Sequence, residues 1–289
     1  MSGAATDWHH ACGVLDCARG RLVGIVNANP DSFSDGGRSA GTTRAIEHGL
    51  LLAAQGADVV EVGGESLRFS EHTPVEVEIS RVVPVIERLA AELDVPVAID
   101  TFKPAVAAAA IAAGAAILND PTGLREPAMA GVAATGGVGI VLTHFFGAPK
   151  VRPESFPSVD VPSAVRSWAT GRLRMAEEAG IPAERIVIDP GVGLGKSPAQ
   201  DLQLLHRIDE VVAVGRPVLV PISDKKVLGA LTGRDAHDRL AGTAAGLVWC
   251  RARGATLFRV HDVAFMADAL RVADALVTGH AREWFEVVK

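Results

Sequence analysis

Short apolar segments alternate with longer Ala-rich segments along nearly the whole chain, beginning at Arg21. Each apolar segment ends in a polar or glycine-rich turn, and the segment that follows has the amphipathic pattern of a helix. Strands are predicted at 22–27, 58–63, 97–100, 116–120, 139–144, 185–190, 217–223 and 256–261. Nearly continuous apolar strands are expected where both faces of a parallel sheet are covered.

Helices are predicted at 42–55, 75–93, 104–113, 127–135, 161–179, 199–213, 236–253 and 262–277. Several of them close on a glycine before the next strand, as at Gly56 and Gly114, which suits a left-handed C-cap. Eight strand–helix units predict a single α/β domain, a (β/α)8 TIM barrel, rather than a doubly wound sheet. We expect a flexible N-terminal tail over residues 1–20 and the barrel over residues 21–289.

Polar residues collect where the predicted strands end. Seven of the eight strands end in such residues, which are Asn27, Asp100, Asn119, Asp120, His144, Asp189, Ser223, Asp224, Lys225, Arg259 and His261. Any one of them is explained as well by an ordinary loop or capping role. In a (β/α)8 barrel, however, the chemistry takes place at the C-terminal ends of the strands. The set as a whole therefore predicts one pocket.

The residue types in this pocket indicate what it binds. Asp100, Asn119 and Asp189 supply acceptors and donors in a plane, as a flat heterocycle with an amidine-like edge requires. Asn27 and Asp35 offer oxygen ligands to Mg2+, which keeps most of its waters and bridges phosphate oxygens. We therefore expect a heterocyclic substrate and a Mg2+ ion.

Fixed positive charge from Arg68, Lys225 and Arg259 suits an anionic group such as phosphate or pyrophosphate. The segment "DPGVGLGKS" at 189–197 looks like a phosphate loop, but a Walker A loop needs glycine where Pro190 stands. Its glycines instead predict a tight turn between a strand and a helix, which lets a ligand approach the backbone.

Charge and cysteine content narrow the class of protein. The formal net charge is -6 and the basic residues are dispersed, which argues against a nucleic-acid partner. An odd number of cysteines, Cys12, Cys17 and Cys250, argues against a disulfide framework and favours a reducing compartment. The sequence shows neither a membrane-spanning run nor the pattern of a signal peptide, so we expect a cytoplasmic protein.

Taken together, seven segments resemble the dihydropteroate synthase family. They are "NANPDSFSDGG" (27–37), "VGGESLR" (62–68), "IDT" (99–101), "AAILND" (115–120), "DPGVGLGK" (189–196), "ISDKK" (222–226) and "FRVHDV" (258–263). The resemblance implies a (β/α)8 barrel that condenses 6-hydroxymethyl-7,8-dihydropterin pyrophosphate with p-aminobenzoate, giving 7,8-dihydropteroate and pyrophosphate. It also implies that Mg2+ assists the loss of pyrophosphate, which leaves a pterin cation for the arylamine to attack.

The resemblance assigns roles to individual positions. The residues assigned to the pterin are Asp100, Asn119, Asp189, Lys225 and Arg259, and Arg259 stacks on the ring. The residues assigned to the pyrophosphate are Asn27, Arg68, Arg259 and His261, and Asn27 also serves the metal. Asp35 lies in the same first loop as Asn27. The resemblance also implies that two chains pair through barrel helices, for which the apolar stretches 244–250 and 264–277 are suitable.

The chain departs from the family pattern mainly on the p-aminobenzoate side. Ser223, Asp224 and Lys225 stand where the family reads Ser-Arg-Lys, so Asp224 reverses a charge there. Leu194 replaces a Phe beside the arylamine pocket, and Thr143 replaces a Met against the pterin. In the second loop, residues 66–70 read Ser-Leu-Arg-Phe-Ser instead of Ser-Thr-Arg-Pro-Gly, and in the first loop Asn29 replaces Thr.

These departures leave alternatives to an active synthase. One is a pterin-binding paralogue with weak or no synthase activity, because the carboxylate of p-aminobenzoate would face Asp224. The other is a related pterin-dependent methyltransferase, which shares the Asp/Asn/Asp pterin site. A methyltransferase has no need for the pyrophosphate loop at 27–37, and the presence of that loop favours the synthase.

Overall fold

The computed structural model describes residues 7–28, 37–66, 72–151 and 156–279. The strands in these ranges are β1 (Asp7–His10), β2 (Gly13–Asp16), β3 (Arg21–Asn27), β4 (Val59–Gly63), β5 (Val97–Asp100), β6 (Ile117–Asp120), β7 (Gly139–Thr143), β8 (Ile186–Asp189), β9 (Leu219–Val220) and β10 (Leu257–Val260). The parallel strands follow the order β8-β7-β6-β5-β4-β3-β10-β9. A parallel bridge between Ile188 and Val218 joins the two end strands, so the sheet closes into the predicted (β/α)8 barrel.

The helices cover the outside of the barrel. They are α1 (Gly37–Ala54), α2 (Val75–Glu92), α3 (Pro104–Ala112), α4 (Pro127–Gly136), α5 (Val161–Glu178), α6 (Pro198–His206), α7 (Asp209–Val212), α8 (Lys226–Thr232), α9 (Leu240–Ala252) and α10 (Val263–Thr278). The helix predicted at 199–213 is interrupted at Arg207, which leaves helical geometry with φ -114°. The sequence analysis missed α8, a short helix that contains Gly229, a poor helix former.

The interior of the barrel has an apolar layer below a polar one. The lower layer consists of Val23, Val59, Ala98, Ile117, Val141, Val187, Leu219 and Leu257. Because side chains two residues apart in a strand share a face, the next inward positions are Glu61, Asp100, Asn119, Thr143, Asp189 and Arg259. The alternating pattern of each strand therefore delivers these polar groups to the upper end of the barrel.

The N-terminal segment closes the lower end of the barrel. β1 and β2 form an antiparallel hairpin, and Trp8 is buried among the lower-layer side chains, with its Nε1 donating to the carbonyl of Arg185 at 2.9 Å. A Cβ atom at Gly139 would lie 2.9 Å from the carbonyl oxygen of His9, so a glycine at that position lets the hairpin approach. The predicted flexible tail is therefore wrong for residues 7–20, because the open barrel end needs an apolar cover.

Candidate active site

A chain of hydrogen bonds joins three neighbouring strands at the upper end of the barrel. Asn119 Nδ2 donates to Asp100 Oδ1 at 3.1 Å, and Thr143 Oγ1 donates to Asn119 Oδ1 at 3.2 Å. Asn119 and Thr143 are buried, while Asp100 is half-buried. With both ends of its amide engaged, Asn119 has a fixed orientation, and the three polar groups form a rigid edge.

Asp189 is fully buried and both of its carboxylate oxygens have partners. Oδ1 accepts from the backbone N–H of Gly191 at 2.7 Å, and Oδ2 accepts from Arg259 Nη1 at 2.7 Å. Gly191 has φ +70°, and a Cβ atom there would lie 1.8 Å from the carbonyl oxygen of His144. The glycine at this position is therefore required by a tight turn, as predicted, and the turn fixes Asp189.

Glu61 is a site residue that the sequence analysis missed. It is 3% exposed, and its carboxylate faces the guanidinium of Arg259, with Oε2 2.9 Å from Nη2 and Oε1 2.8 Å from Nε. The Nε–H bond of Arg259 does not point at Oε1, so the contact between Nε and Oε1 is an ion pair without an aligned hydrogen bond. The signal in the sequence is a lone charge inside the apolar strand "VVEVG".

The charges in this part of the site are unbalanced. Three carboxylates, those of Glu61, Asp100 and Asp189, surround the guanidinium of Arg259. Burial raises the pKa of Asp100 well above its usual range, and the nearby Glu61 carboxylate raises it further, against the opposing effect of Arg259. Burial alone would lower the pKa of Arg259, but the surrounding carboxylates raise it. The pocket is therefore suited to a ligand that presents N–H donors or positive charge.

Ser223, Asp224 and His261 contact each other at a second edge of the rim. The Asp224 carboxylate lies 3.2 Å from His261 Nδ1, and Ser223 Oγ lies 2.9 Å from the same nitrogen. Asp224 has φ +56°, a left-handed conformation that Asp tolerates better than most residues. Arg239 Nη1 donates to the backbone carbonyl of Asp224 at 2.8 Å and holds this turn in place.

The other predicted site residues fall into two groups. Lys225 precedes α8 and lies beside the glycine-rich turn, where a Cβ atom at Gly193 would be 3.9 Å from Lys225 Nζ. Leu194 is half-buried on that turn, and Asn27 ends β3 with an exposed side chain. Asp35 and Arg68 lie outside the described residues, as do the departures at Asn29, Leu67, Phe69 and Ser70.

Two of the strand-end residues serve the turns rather than the pocket. Asp120 accepts from the backbone N–H groups of Thr122 and Leu124. His144 lies beneath the glycine-rich turn, where its Nδ1 is 2.9 Å from Lys196 Nζ. Burial and then the Lys196 charge lower the pKa of His144 to about 3, and burial lowers the pKa of Lys196 to about 8. The prediction that all the strand-end side chains converge on one pocket is therefore wrong for Asp120 and His144.

The described residues do not form a site that could bind a metal ion through protein side chains alone. Within residues 7–28, 37–66, 72–151 and 156–279, no group of three or more His, Cys, Asp or Glu side chains has the geometry of a metal site. A Mg2+ ion bound together with a phosphate group needs only one or two oxygen ligands from the protein, and Asn27 offers one.

Among the described residues, no helix has the length and apolar character to cross a membrane.

Comparisons with known proteins agree with this geometry. The model of the family described as pterin binding enzyme matches residues 23–261. The dihydropteroate synthase of Escherichia coli K12 is 36% identical over 273 residues, which are 94% of this chain and 97% of that protein. The dihydropteroate synthase of Mycobacterium leprae is 39% identical over 278 residues, or 93% and 97% of the two chains.

A longer relative comes from Haloferax volcanii. It is a probable bifunctional folylpolyglutamate synthase/dihydropteroate synthase, 43% identical over 253 residues, which are 87% of this chain. The chain spans only 30% of that protein's length.

Solved structures give the same relationship. The dihydropteroate synthase of Xanthomonas albilineans with 4-aminobenzoic acid has a TM-score of 0.86 and 44% identity, covering 91% of this chain and 95% of that one. The same enzyme in complex with 7,8-dihydropteroate has a TM-score of 0.83, with the same identity and coverage. The enzyme of Thermus thermophilus in complex with 6HMPPP has a TM-score of 0.81 and 39% identity, covering 93% and 99%.

Proposed function

The chain belongs to the dihydropteroate synthase family, and from this premise we propose that it condenses 6-hydroxymethyl-7,8-dihydropterin pyrophosphate with p-aminobenzoate to give 7,8-dihydropteroate and pyrophosphate. The observation that carries the proposal is that the hydrogen-bonded pair Asp100–Asn119 and the buried carboxylate of Asp189 stand at the same end of the barrel. These side chains supply the acceptors and donors that the amidine-like edge of a pterin requires.

The pterin binds to a site that is already organised. Thr143 and Gly191 hold the amide of Asn119 and the carboxylate of Asp189, so little ordering is required when the ring enters. Asp100 and Asp189 then accept from N–H groups of the pterin edge. The nearness of Lys225 to the glycine-rich turn supports a contact of its ammonium group with the ring.

The charges around the pterin favour departure of pyrophosphate. When the bond between the hydroxymethyl carbon and the pyrophosphate oxygen breaks, positive charge develops on the pterin. The carboxylates of Glu61 and Asp189 are held in place by Arg259 beside the pterin site and stabilise that charge without reorganising. The amine nitrogen of p-aminobenzoate then bonds to the carbon and loses a proton.

The leaving group is negatively charged, and the exposed position of His261 and Asn27 at the rim supports their binding to it. We propose that Mg2+ takes part, with Asn27 as an oxygen ligand. Bound to pyrophosphate, the ion would neutralise charge on the leaving group. Asp35 and Arg68, from the first and second loops, complete the proposed pyrophosphate site.

A second candidate function, supported by Asp224, is a pterin-binding protein with weak or no synthase activity. The Asp224 carboxylate stays at the rim, next to His261, and adds a negative charge where an anionic arylamine would approach. Under this candidate the pterin site is unchanged and the second substrate binds poorly. The two candidates therefore differ in p-aminobenzoate affinity and not in pterin affinity.

One experiment separates these candidates. Pyrophosphate release from the pterin substrate is measured with Mg2+, with and without p-aminobenzoate, and the binding of each ligand is measured by calorimetry. The synthase predicts release that depends on p-aminobenzoate. Pterin binding without arylamine-dependent turnover identifies the weakly active paralogue, and the absence of pterin binding contradicts both.

We also propose that two copies of the chain form a homodimer through the outer faces of α6, α8 and α9. These helices line an apolar groove of about 330 Å3. Leu231 is 60% exposed and Trp249 is 41% exposed at its edges, and a second copy docked on the groove would bury both. Light scattering of the wild type and of Leu231→Glu tests this, because the variant is expected to be monomeric.

A cytoplasmic location is proposed from the state of the thiols. Cys12, Cys17 and Cys250 are all free. Burial raises the pKa of both Cys17 and Cys250 to about 12, which keeps them as unreactive thiols. Fractionation of cells that produce the chain tests the location.

A further inference from the structure

A buried cluster of four charged side chains lies beside the end of β5, where Thr101, the residue after Asp100, donates its Oγ1–H to Glu78 at 2.9 Å, and the proposed mechanism gives this cluster no role. Its members are Glu65, Glu78, Lys103 and Lys150. No side chain in the cluster is more than 13% exposed. Two carboxylates face two ammonium groups, so the cluster is neutral when all four groups are ionised.

Glu65 is the centre of this cluster. Its Oε2 lies 2.5 Å from Lys103 Nζ, and its Oε1 lies 3.0 Å from Lys150 Nζ. Oε1 also accepts from the backbone N–H of Thr73 at 2.7 Å. Burial alone would raise the pKa of Glu65, but the bonds from Lys103, Thr73 and Lys150 lower it below the usual range. Glu65 is therefore ionised at neutral pH.

These contacts join segments that are separate in the sheet. Glu65 follows β4 and Thr73 precedes α2, so the Glu65 carboxylate ties together the two ends of the β4–α2 loop. Lys150 lies in the loop between β7 and α5. Because β5 and β6 stand between β4 and β7, the Glu65–Lys150 pair reaches across the rim.

The backbone at Lys150 adds an independent observation. Lys150 has φ +65°, in the left-handed region that non-glycine residues rarely adopt, and the residue is only 6% exposed. Such a conformation persists where the surroundings determine it, and it is concentrated at binding sites and moving segments. The contact of its ammonium group with Glu65 helps to hold this strained residue in place.

A role in stability alone is a poor explanation for the cluster. Buried ion pairs cost desolvation, and apolar residues of similar volume often stabilise a core equally well. We propose instead that Glu65 is a positioning residue that couples residues 72–74, which precede α2, to residues 144–151, which follow β7, so that these two segments receive the substrate as one unit. The identity of that substrate, the pterin pyrophosphate, rests on the proposed function.

Three variants test the coupling in the full chain. Glu65→Gln leaves the two lysines with one carboxylate, Lys150→Met removes the second end of the pair, and the double variant restores a neutral cluster. Uncoupled loops populate the binding arrangement less often, so we expect each variant to raise the KM for pterin pyrophosphate about tenfold with a smaller change in kcat. Glu92→Gln, in an exposed ion pair on α2, is the control.

The double variant distinguishes positioning from stability. Its neutral cluster is expected to unfold at a higher temperature than Glu65→Gln, while its KM stays as high as that of either single variant. A KM that returns toward the wild-type value together with the melting temperature would show that Glu65 only stabilises the fold, and would overturn the proposal. If the KM increases of the two single variants multiply in the double variant, the proposal is also overturned.

Amide hydrogen exchange in the free protein supplies a readout that needs no substrate. We expect Glu65→Gln to speed exchange at 146–151, and Lys150→Met to speed exchange at Thr73, with no change in Glu92→Gln. Unchanged exchange in the opposite loop would overturn the coupling. If the wild-type protein has no synthase activity, the proposed function fails while the exchange experiment still tests the coupling.

Discussion

The carboxylate of Asp224 lies 3.2 Å from Nδ1 of His261, at the rim of the barrel where we propose that p-aminobenzoate enters. Asp224 stands where the family pattern has an arginine, so the charge at this position is reversed. Under the proposed function, the pterin edge is therefore intact and the entrance for the second substrate is altered. Activity therefore depends on how strongly Asp224 opposes p-aminobenzoate.

Asp224→Arg is expected to lower the KM for p-aminobenzoate, because it replaces an anion with a cation that attracts the substrate carboxylate. Asp224→Asn is the matched control, since Asn tolerates the left-handed backbone at φ +56° and removes only the charge. We expect the KM to fall in the order wild type, Asn, Arg in steady-state assays. Equal KM values in all three proteins would show that Asp224 does not face the arylamine.

Glu61→Ala is expected to destabilise the protein by about 3 kcal/mol, because it leaves the buried guanidinium of Arg259 with fewer partners. The free energy of unfolding is measured by urea denaturation. Glu92→Ala, which breaks an exposed pair on α2, is expected to change it by less than about 1 kcal/mol. Equal effects of the two substitutions would contradict the role given to Glu61.

His144 predicts how stability depends on pH. The pKa of His144 is about 3 in the folded protein and 6.5 in the unfolded chain, so the unfolded state binds more protons between these values and stability falls as pH falls. Asp201 opposes this, because burial raises its pKa to about 6 from 3.8, and its protonation favours the folded state as pH falls below that value. His144→Asn should remove only the first effect.

The expected size follows from the pKa difference. Between pH 7 and pH 5, His144 contributes about 2 kcal/mol of the wild-type loss of stability, and the variant lacks that contribution. Urea denaturation of both proteins at the two pH values measures it. If His144→Asn loses as much stability as the wild type over this interval, His144 is not neutral and buried in solution.

Trp8→Ala is expected to destabilise the protein by about 3 to 5 kcal/mol, because it opens a cavity at the lower end of the barrel. The pterin site lies at the opposite end, so the affinity for pterin should not change. Urea denaturation and calorimetry measure the two quantities. An unchanged free energy of unfolding would show that the hairpin does not close the barrel.

The sequence predicted the barrel well because strands and helices alternate with a clear period. The predicted strand at 97–100 matches β5, whereas the strand predicted at 217–223 contains only Leu219–Val220, because Pro217 and Pro221 have no N–H to donate. Glu61 was not predicted because it does not end its strand; it lies on the inward face of β4, two residues before Gly63.

Other features depend on contacts that no local pattern records. Trp8 packs into the barrel although its neighbours in sequence are polar, and the open end of the barrel explains this only once the sheet has closed. His144 and Asp120 have the residue types of a pocket but are used by turns. His144 belongs to a turn because Gly191 comes close to its backbone carbonyl. That approach depends on the pairing of β7 with β8, which no local pattern in the sequence records.

The most direct test of the central claim follows the formation of 7,8-dihydropteroate from the pterin pyrophosphate, p-aminobenzoate and Mg2+ by mass spectrometry, in the wild type and in Asn119→Leu. Asn119→Leu keeps the volume of the side chain and removes the amide that joins Asp100 to Thr143. The account predicts product from the wild type and at least about a hundredfold less from the variant. Equal amounts of product from the two proteins would contradict it.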